Sequence, residues 1–96
     1  EEIENLLVSC PGVVEAAVVG VPDAILGEKL CACVSVKLGT ELDLKTLTRH
    51  LQEECQVAVF KLPEYLLVLD TLPRNPVGKL DKKDLRARAA QLGEQT

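Results

Sequence analysis

The residues most able to do chemistry lie in one segment, Leu72 to Lys83, which reads Leu-Pro-Arg-Asn-Pro-Val-Gly-Lys-Leu-Asp-Lys-Lys. Two prolines stiffen its first half, and Gly78-Lys79 stands just before Asp81, a residue type that caps helix N-termini. The start of a helix disfavours a cation, so local stability does not explain a lysine at this place. We therefore predict that a rigid turn presents the Lys79 ammonium to an anionic group.

Gly78-Lys79 also resembles the end of the phosphate-binding loop of nucleotide hydrolases, which has the pattern Gly-x-x-x-x-Gly-Lys-Ser/Thr. The segment does not fit that loop. Pro73 stands where the first glycine is required, and Leu80 replaces the hydroxyl residue that would bind magnesium. A complete nucleotide-binding loop is therefore excluded.

Composition narrows the possible partners of the chain. The 96 residues allow one domain, 1–96, with a modest core, and the only aromatic residues are Phe60 and Tyr65. The formal net charge is −4, but residues 61–96 carry seven basic and five acidic side chains. So small a basic excess suits a small molecule bearing phosphate, whereas a nucleic-acid partner requires a dense basic face with stacking aromatic residues.

Neither a disulfide framework nor a metal site is predicted. The four cysteines (Cys10, Cys31, Cys33 and Cys55) occur without secretory features, so we expect reduced core thiols. His50 is the only histidine, and a structural zinc site needs four nitrogen or sulfur ligands. No apolar run approaches the roughly 20 residues that span a bilayer, so we expect a soluble cytoplasmic domain.

Periodic patterns predict an α+β domain with a small, three-stranded, mainly antiparallel sheet that contains a hairpin and is covered by about three helices. The expected helices cover 3–10, 44–55 after the cap Asp43, and 82–92 between the cap Asp81 and the terminator Gly93; the expected strands cover 13–21, 30–38 and 65–69. The second strand alternates cleanly between two faces. The third is almost wholly apolar, which predicts a central strand or one buried on both faces.

Around this framework the sequence resembles the adenylate-forming superfamily of acyl-CoA and aryl-CoA synthetases, luciferases and nonribosomal peptide adenylation domains. The family's last motif, Leu-Pro-x-x-x-x-Gly-Lys-apolar-x-Lys/Arg-x-x-Leu, runs unbroken from Leu72 to Leu85. Residues 2–7 match the helix after the family's hinge. Residues 16–23, with Gly27-Glu28, match a hairpin of its C-terminal domain, and residues 60–63 match its aromatic-Lys-x-Pro segment. The resemblance covers nearly the whole chain.

The resemblance implies a two-step reaction. A carboxylate and ATP give an acyl-adenylate and pyrophosphate, and a thiol then attacks the mixed anhydride. Lys79 matches the lysine that enters the active site for the first step, where its charge offsets the repulsion between the carboxylate and the α-phosphate. ATP, with its Mg²⁺, and the acid are implied to bind a large N-terminal domain upstream. We therefore expect this piece to be inactive alone.

For the second step the family swings this domain and presents another face. That face is implied to hold the hairpin near Gly20 and the Phe60-Lys61 segment. In relatives that use CoA, the aromatic residue stacks on the CoA adenine and basic neighbours meet its phosphates. The predicted cofactor-binding residues are therefore Gly20, Phe60 and Lys61, together with Gly78. Some relatives have arginine where this chain has Leu62, which weakens the case for CoA against the phosphopantetheine thiol of a carrier protein.

Less specific interpretations stay open at several positions. Lys79 fits a solvated surface lysine, Phe60 fits a core residue, and Gly20 fits a simple bend. The fold also suits an interaction module that has lost the chemistry. Conversely, Pro73-x-x-x-x-Gly78-Lys79 resembles the recognition pattern of protein acetyltransferases that silence such synthetases, and acetylation would remove the lysine's charge. The sequence does not identify the acid.

Overall fold

The computed structural model describes residues 2–25 and 27–94, which form three helices, three strands and one 3₁₀ turn. In chain order they are α1 (Glu2–Leu7), β1 (Val13–Asp23), β2 (Gly27–Val36), α2 (Leu44–Glu53), the 3₁₀ turn Val59–Lys61, β3 (Tyr65–Leu69) and α3 (Lys82–Glu94). The predicted α+β class, with three strands and three helices, is confirmed. The segment between β3 and α3 is the predicted loop.

The sheet has the strand order β1-β2-β3 and is mixed rather than fully antiparallel. β1 and β2 form the predicted antiparallel hairpin, with Asp23 opposite Gly27 at its turn and Val13 opposite Val36 at its open end. β3 pairs with β2 in parallel, from Cys31 opposite Tyr65 onward. A parallel pair needs a crossover connection, and the residues between β2 and β3, which include α2, provide it.

β2 is the central strand, so the prediction that Tyr65–Leu69 is central or buried on both faces is wrong. The five residues Cys31–Ser35 are all buried, whereas β3 lies at an edge and is only half-buried. The predicted alternation of β2 is confirmed, since Cys31 and Cys33 face one core and Ala32 and Val34 the other; both faces are buried because cysteine, alanine and serine are small enough to be buried on either side. β3 is apolar because its side chains complete both cores from the side.

Two cores lie on opposite faces of the sheet, since successive side chains of a strand point to opposite sides. One core packs against α3 and consists of Ala17, Val19, Val21, Cys31, Cys33, Leu72, Leu85 and Ala89. The other packs against α1 and α2 and consists of Leu7, Cys10, Val13, Ala32, Val34, Leu47 and Leu51. Because Leu72 belongs to the first core, the loop that carries Lys79 is anchored beside α3.

The helix ends follow their predicted caps, with small differences in length. Asp43 Oδ1 accepts a hydrogen bond from Thr46 N at 2.7 Å, and this bond lowers the pKa of the Asp43 carboxyl. Asp81 Oδ1 accepts one from Asp84 N at 3.0 Å. α1 is shorter than predicted, and Gly93 lies within α3 rather than ending it. α1 ends at Leu7, three residues before its predicted end, whereas the ends of α2 and α3 differ by two residues, which is usual at frayed ends.

Neither a bilayer-crossing helix nor a metal-binding group of side chains occurs within the described ranges. None of their helices combines the length and the apolar character that crossing a bilayer requires. Nor do three or more His, Cys, Asp or Glu side chains in residues 2–25 and 27–94 converge to hold an ion. The four cysteines are free; three of them are buried, as predicted, and Cys55 is half-buried.

Candidate functional site

A tight hairpin turn carries Lys79. Asn75 N donates to Lys79 O at 2.8 Å, and Gly78 N donates to Asn75 O at 2.9 Å, which closes a loop of three residues. The Asn75 side chain adds two more bonds, because its Oδ1 accepts from Val77 N at 3.0 Å and from Lys79 N at 3.1 Å. One asparagine therefore fixes the backbone on both sides of the turn.

The turn requires a glycine at position 78, where φ is +93°. Three-residue hairpins commonly place a residue with positive φ at their last loop position, and glycine adopts that conformation without strain. Pro76 favours the φ that the first loop position needs. The sequence thus specifies the turn at two of its three loop positions.

Both arms of the turn are attached to the body of the domain. On the incoming arm, Leu72 is 3% exposed within the α3 core. On the outgoing arm, Asp81 N donates to Pro73 O at 2.9 Å, and Leu80 pairs with Arg74 as an antiparallel bridge. α3 begins immediately afterwards. The Lys79 backbone is therefore held by a short, doubly anchored loop.

The Lys79 side chain is exposed and pairs with no carboxylate among the residues that the structure describes. The nearby basic residues Arg74 and Lys82, in contrast, each contact a carboxylate. Arg74 contacts the carboxylate of Glu15, and Lys82 contacts that of Glu4 at 2.7 Å. Lys79 thus presents a positive charge that nothing within the described part of the chain neutralises, on a support that is itself rigid.

Gly20 lies inside β1, opposite Leu30, so its interpretation as a simple bend glycine is wrong. Its neighbour in space is the Glu28 side chain. A Cβ atom at position 20 would lie 2.1 to 2.6 Å from the three carboxyl atoms of Glu28, closer than side chains approach. Glycine at this position therefore lets the Glu28 carboxylate lie across the strand.

Phe60 and Lys61 lie in the 3₁₀ turn Val59–Lys61, near the same end of the sheet. Glu64 N donates to Leu30 O at 2.8 Å, so the chain just after this turn is fixed beside the strand residue that faces Gly20. Lys61 is exposed. The Phe60 side chain lies outside the described residues, so its stacking role and its core role both stay predictions.

A cavity of about 300 Å³ opens beside Lys61. Its walls come from α1, from the segment between α2 and the 3₁₀ turn, and from the turn itself. The lining residues are Ile3, Leu6, Cys55, Gln56, Val57, Ala58 and Lys61. The cavity gives this end of the domain a concave surface with one cation at its edge.

The predicted site residues form two separate groups. Gly20 and Lys61 lie near one end of β1, whereas the turn with Gly78 and Lys79 is tied through Arg74 to Glu15, near the other end. Glu15 and Gly20 are five residue steps apart along an extended strand, which is roughly 16 Å at 3.3 Å per step.

Three residues of this arrangement, Asn75, Arg74 and Glu15, were not predicted from the sequence. Asn75 has a local signal, because Asn-Pro dipeptides initiate turns and the asparagine side chain bonds nearby backbone amides. Arg74 and Glu15 are far apart in sequence, and no sequence pattern predicts their contact. Only the fold brings them together.

Comparison with known proteins agrees with this geometry. The model of the AMP-binding enzyme C-terminal domain family matches residues 2–79. The chain is 46% identical over 94 residues to 2-hydroxy-7-methoxy-5-methyl-1-naphthoate--CoA ligase of Streptomyces carzinostaticus, and 51% identical over 86 residues to a salicylyl-CoA synthase / salicylate adenylyltransferase of a Streptomyces species. These alignments cover 98% and 90% of this chain, but 17% and 15% of the relatives.

A solved structure shows the same fold. The crystal structure of ATP-bound MatB from Rhodopseudomonas palustris superposes with a TM-score of 0.85 at 38% identity. The match covers 95% of this chain and 18% of MatB, so the chain spans less than a fifth of the proteins it resembles. By sequence, fold and motif, the chain belongs to the AMP-binding enzyme C-terminal domain family of adenylate-forming enzymes.

Proposed function

We propose that this chain is the mobile C-terminal domain of an ATP-dependent carboxylate:CoA ligase, and that Lys79 is its catalytic residue for acyl-adenylate formation. The observation that carries the proposal is the exposed Lys79 ammonium, which stands on a doubly anchored turn without a carboxylate partner among the described residues. The family match, which extends to this lysine, supports it.

In the first step, a carboxylate oxygen of the acid attacks the α-phosphorus of ATP, and pyrophosphate leaves. Both reactants are anionic, so their approach is electrostatically unfavourable. An ammonium between them offsets that repulsion and stabilises the charge that develops on the phosphoryl oxygens. ATP and its Mg²⁺ would bind the N-terminal domain, and this chain would supply the cation.

In the second step, the thiol sulfur attacks the acyl carbon and AMP leaves. The other end of the sheet would face the active site at this stage. Gly20 leaves β1 without a side chain there, Lys61 offers a cation for the phosphates of CoA, and Phe60 is the proposed stacking residue. Gly20 and the Arg74–Glu15 contact lie at different points along β1, which suits a domain that uses the two groups in turn rather than together.

A carrier-protein thiol is the alternative acceptor for the second step. The similarity to an enzyme named as both a CoA synthase and an adenylyltransferase supports either acceptor. Leu62 also removes one basic side chain that some CoA-using relatives have. Incubating the full-length enzyme and its acid with free CoA or with a phosphopantetheinylated carrier protein separates the two. Thioester formation with the carrier protein alone would overturn the CoA assignment.

The test of the main proposal is substitution of the lysine in the full-length protein. We expect Lys79→Ala to lower acid-dependent pyrophosphate release by about 10² to 10³-fold, as loss of one preorganised charge does elsewhere. Lys83→Ala is the matched control, because it removes an exposed lysine four residues away. Equal activity of Lys79→Ala and wild type would overturn the role of Lys79, whereas a wild type that releases no pyrophosphate with any acid would favour an interaction module with this fold.

The exposed Lys79 amine also fits regulation by a protein acetyltransferase. Acetylation converts the ammonium to a neutral amide and so removes the charge that the first step uses. Peptide mapping of protein expressed in an acetylating host is expected to find the modification at Lys79 and not at Lys83. An unmodified Lys79 under all growth conditions would contradict this part of the proposal.

A further inference from the structure

We propose that Arg74 is a positioning residue that holds Lys79 in place for adenylation through a contact we call the Arg74 clamp. The clamp consists of the Arg74 guanidinium, the Gly78 carbonyl and the Glu15 carboxylate. One guanidinium nitrogen donates to Gly78 O at 3.0 Å, and another donates to Glu15 Oε2. The inference deepens the proposed function, on which it rests.

The clamp joins the residue directly before Lys79 to the sheet. Glu15 lies in β1, in register with Ser35 of the central strand and just after the irregularity between Val13 and Glu15, so its backbone is held by the sheet. Gly78 is the residue of the turn with the freest backbone, since it has no side chain and a positive φ. Arg74 therefore connects Gly78, the glycine of the turn, to Glu15, a residue of the sheet.

Arginine suits this task better than lysine. Its planar guanidinium carries several donors in fixed directions, so it serves a carbonyl and a carboxylate at the same time. A lysine ammonium is a point charge on a flexible stem and would pair with Glu15 without orienting Gly78. The chemistry of the contact thus predicts that Arg74→Lys keeps the charge and loses the clamp.

The clamp is too exposed to matter much for folding. The Arg74 and Glu15 side chains are 49% and 28% exposed, and ion pairs of this kind add little to stability. Rate is far more sensitive, because displacing a catalytic group by about 1 Å costs up to about 100-fold. A large effect on adenylation beside a small effect on stability is the expected signature of positioning.

The test measures the two half-reactions of the full-length enzyme separately. We expect Arg74→Lys to lower acid-dependent pyrophosphate release by about 10 to 100-fold. Thioester formation from preformed acyl-adenylate should change less than about twofold, because Lys79 is withdrawn in that step. The matched control is Arg88→Lys, since Arg88 is 45% exposed and also contacts one carboxylate, Asp84, through two nitrogens. Equal loss in both half-reactions would show a general structural defect and overturn the proposal.

Exchanging the two charges tests the Gly78 contact directly. The double variant Glu15→Arg, Arg74→Glu restores an ion pair but gives position 74 no donor for Gly78 O. We expect its melting temperature to stay close to the wild-type value while adenylation stays low. Recovery of adenylation with the restored pair would show that the salt bridge alone suffices, and would overturn the role of the Gly78 bond.

Amide hydrogen exchange gives a readout that does not depend on activity. In full-length Arg74→Lys, exchange should rise in residues 75–79 and stay unchanged in α3. Unchanged exchange in the turn overturns the clamp whatever the activity shows, and so does raised exchange with wild-type adenylation. A wild-type enzyme without acid-dependent pyrophosphate release would refute the proposed function, while exchange would still decide whether Arg74 holds the turn.

Discussion

The Lys82 ammonium lies 2.7 Å from a carboxylate oxygen of Glu4, and the same oxygen accepts a hydrogen bond from Val18 N at 2.8 Å. These contacts join α3, α1 and the edge strand β1 at one point, three residues after Lys79. Burial acts to raise the pKa of the Glu4 carboxyl, but the bonds from Lys82 and Val18 outweigh it and hold the pKa below the ordinary value of 4.5.

We predict that this contact makes the domain sensitive to acid. Because the pKa of Glu4 is lower in the folded state, its contribution is fully present at neutral pH and is lost as pH falls below about 4.5 through the folded-state value. Urea unfolding between pH 7 and pH 3 should show wild-type stability falling over this range. Glu4→Gln should flatten that fall, and an identical acid dependence in both proteins would contradict the assignment.

Truncation of the Glu4 side chain to alanine should destabilise the domain more than Glu4→Gln does. Glu4→Ala leaves Val18 N and the Lys82 ammonium without their partner, so we expect a loss of about 2 kcal/mol in the free energy of unfolding at pH 7. Asp84→Ala is the control, since it breaks an exposed ion pair on α3. Equal losses for the two variants would show that the Glu4 contact has no special weight.

Gly78→Ala should separate strain in the turn from damage to the site. At Gly78 and at Gly39 the φ angles are +93° and +87°, and nothing lies within 4 Å of an added Cβ at either position. Alanine should therefore cost both sites about 1 to 2 kcal/mol of backbone strain. We expect similar melting temperatures for the two variants, with impaired adenylation only in Gly78→Ala. Impaired adenylation in Gly39→Ala would mean that stability alone explains the effect.

Gly20→Ala should act through Glu28. The added Cβ would meet only the mobile end of that side chain among its nearest atoms, so the carboxylate can swing away and the loss of stability should stay below about 1 kcal/mol. In a Glu28→Ala background the substitution should cost almost nothing, a coupling that a double-mutant cycle measures in urea unfolding. Equal costs in both backgrounds would place the strain elsewhere.

The four thiols should differ strongly in reactivity. Cys31 and Cys33 are fully buried with their sulfur atoms 4.0 Å apart, and the Cys31 hydrogen bond together with burial raises the pKa of Cys33. Burial likewise raises the pKa of Cys10. Timed labelling with a thiol reagent should modify Cys55 first and the β2 pair at least roughly 100-fold more slowly. Fast labelling of Cys31 in the folded protein would contradict its burial.

Local patterns predicted most of the fold. Caps at Asp43 and Asp81 place the starts of α2 and α3, because one side-chain oxygen satisfies a backbone amide within the same few residues. The strand segment 65–69 is correct to the residue. Such features depend on neighbours in sequence, which a single chain displays directly.

Strand order was not predictable in the same way. Which strand is central depends on contacts between segments more than 25 residues apart, and the small side chains of Cys31–Ser35 suit a buried face as well as an exposed one. In the candidate site, too, some residues were predictable from the sequence and others were not. The motif selected Lys79 and Gly78, but the partners of its flanking cations, Glu15 and Glu4, come from β1 and α1 and leave no local trace.

The parallel pairing of β3 has a mechanical consequence. This strand starts beside Cys31, four residues after Lys61, and ends beside Ser35, from where the chain proceeds to Arg74 and Lys79. Its five residues span roughly 13 Å. The length of β3 therefore sets how far apart the segments that carry Lys61 and Arg74 leave the sheet. Inserting or deleting two residues there would preserve which side chains face each core and would still change the distance between those two segments.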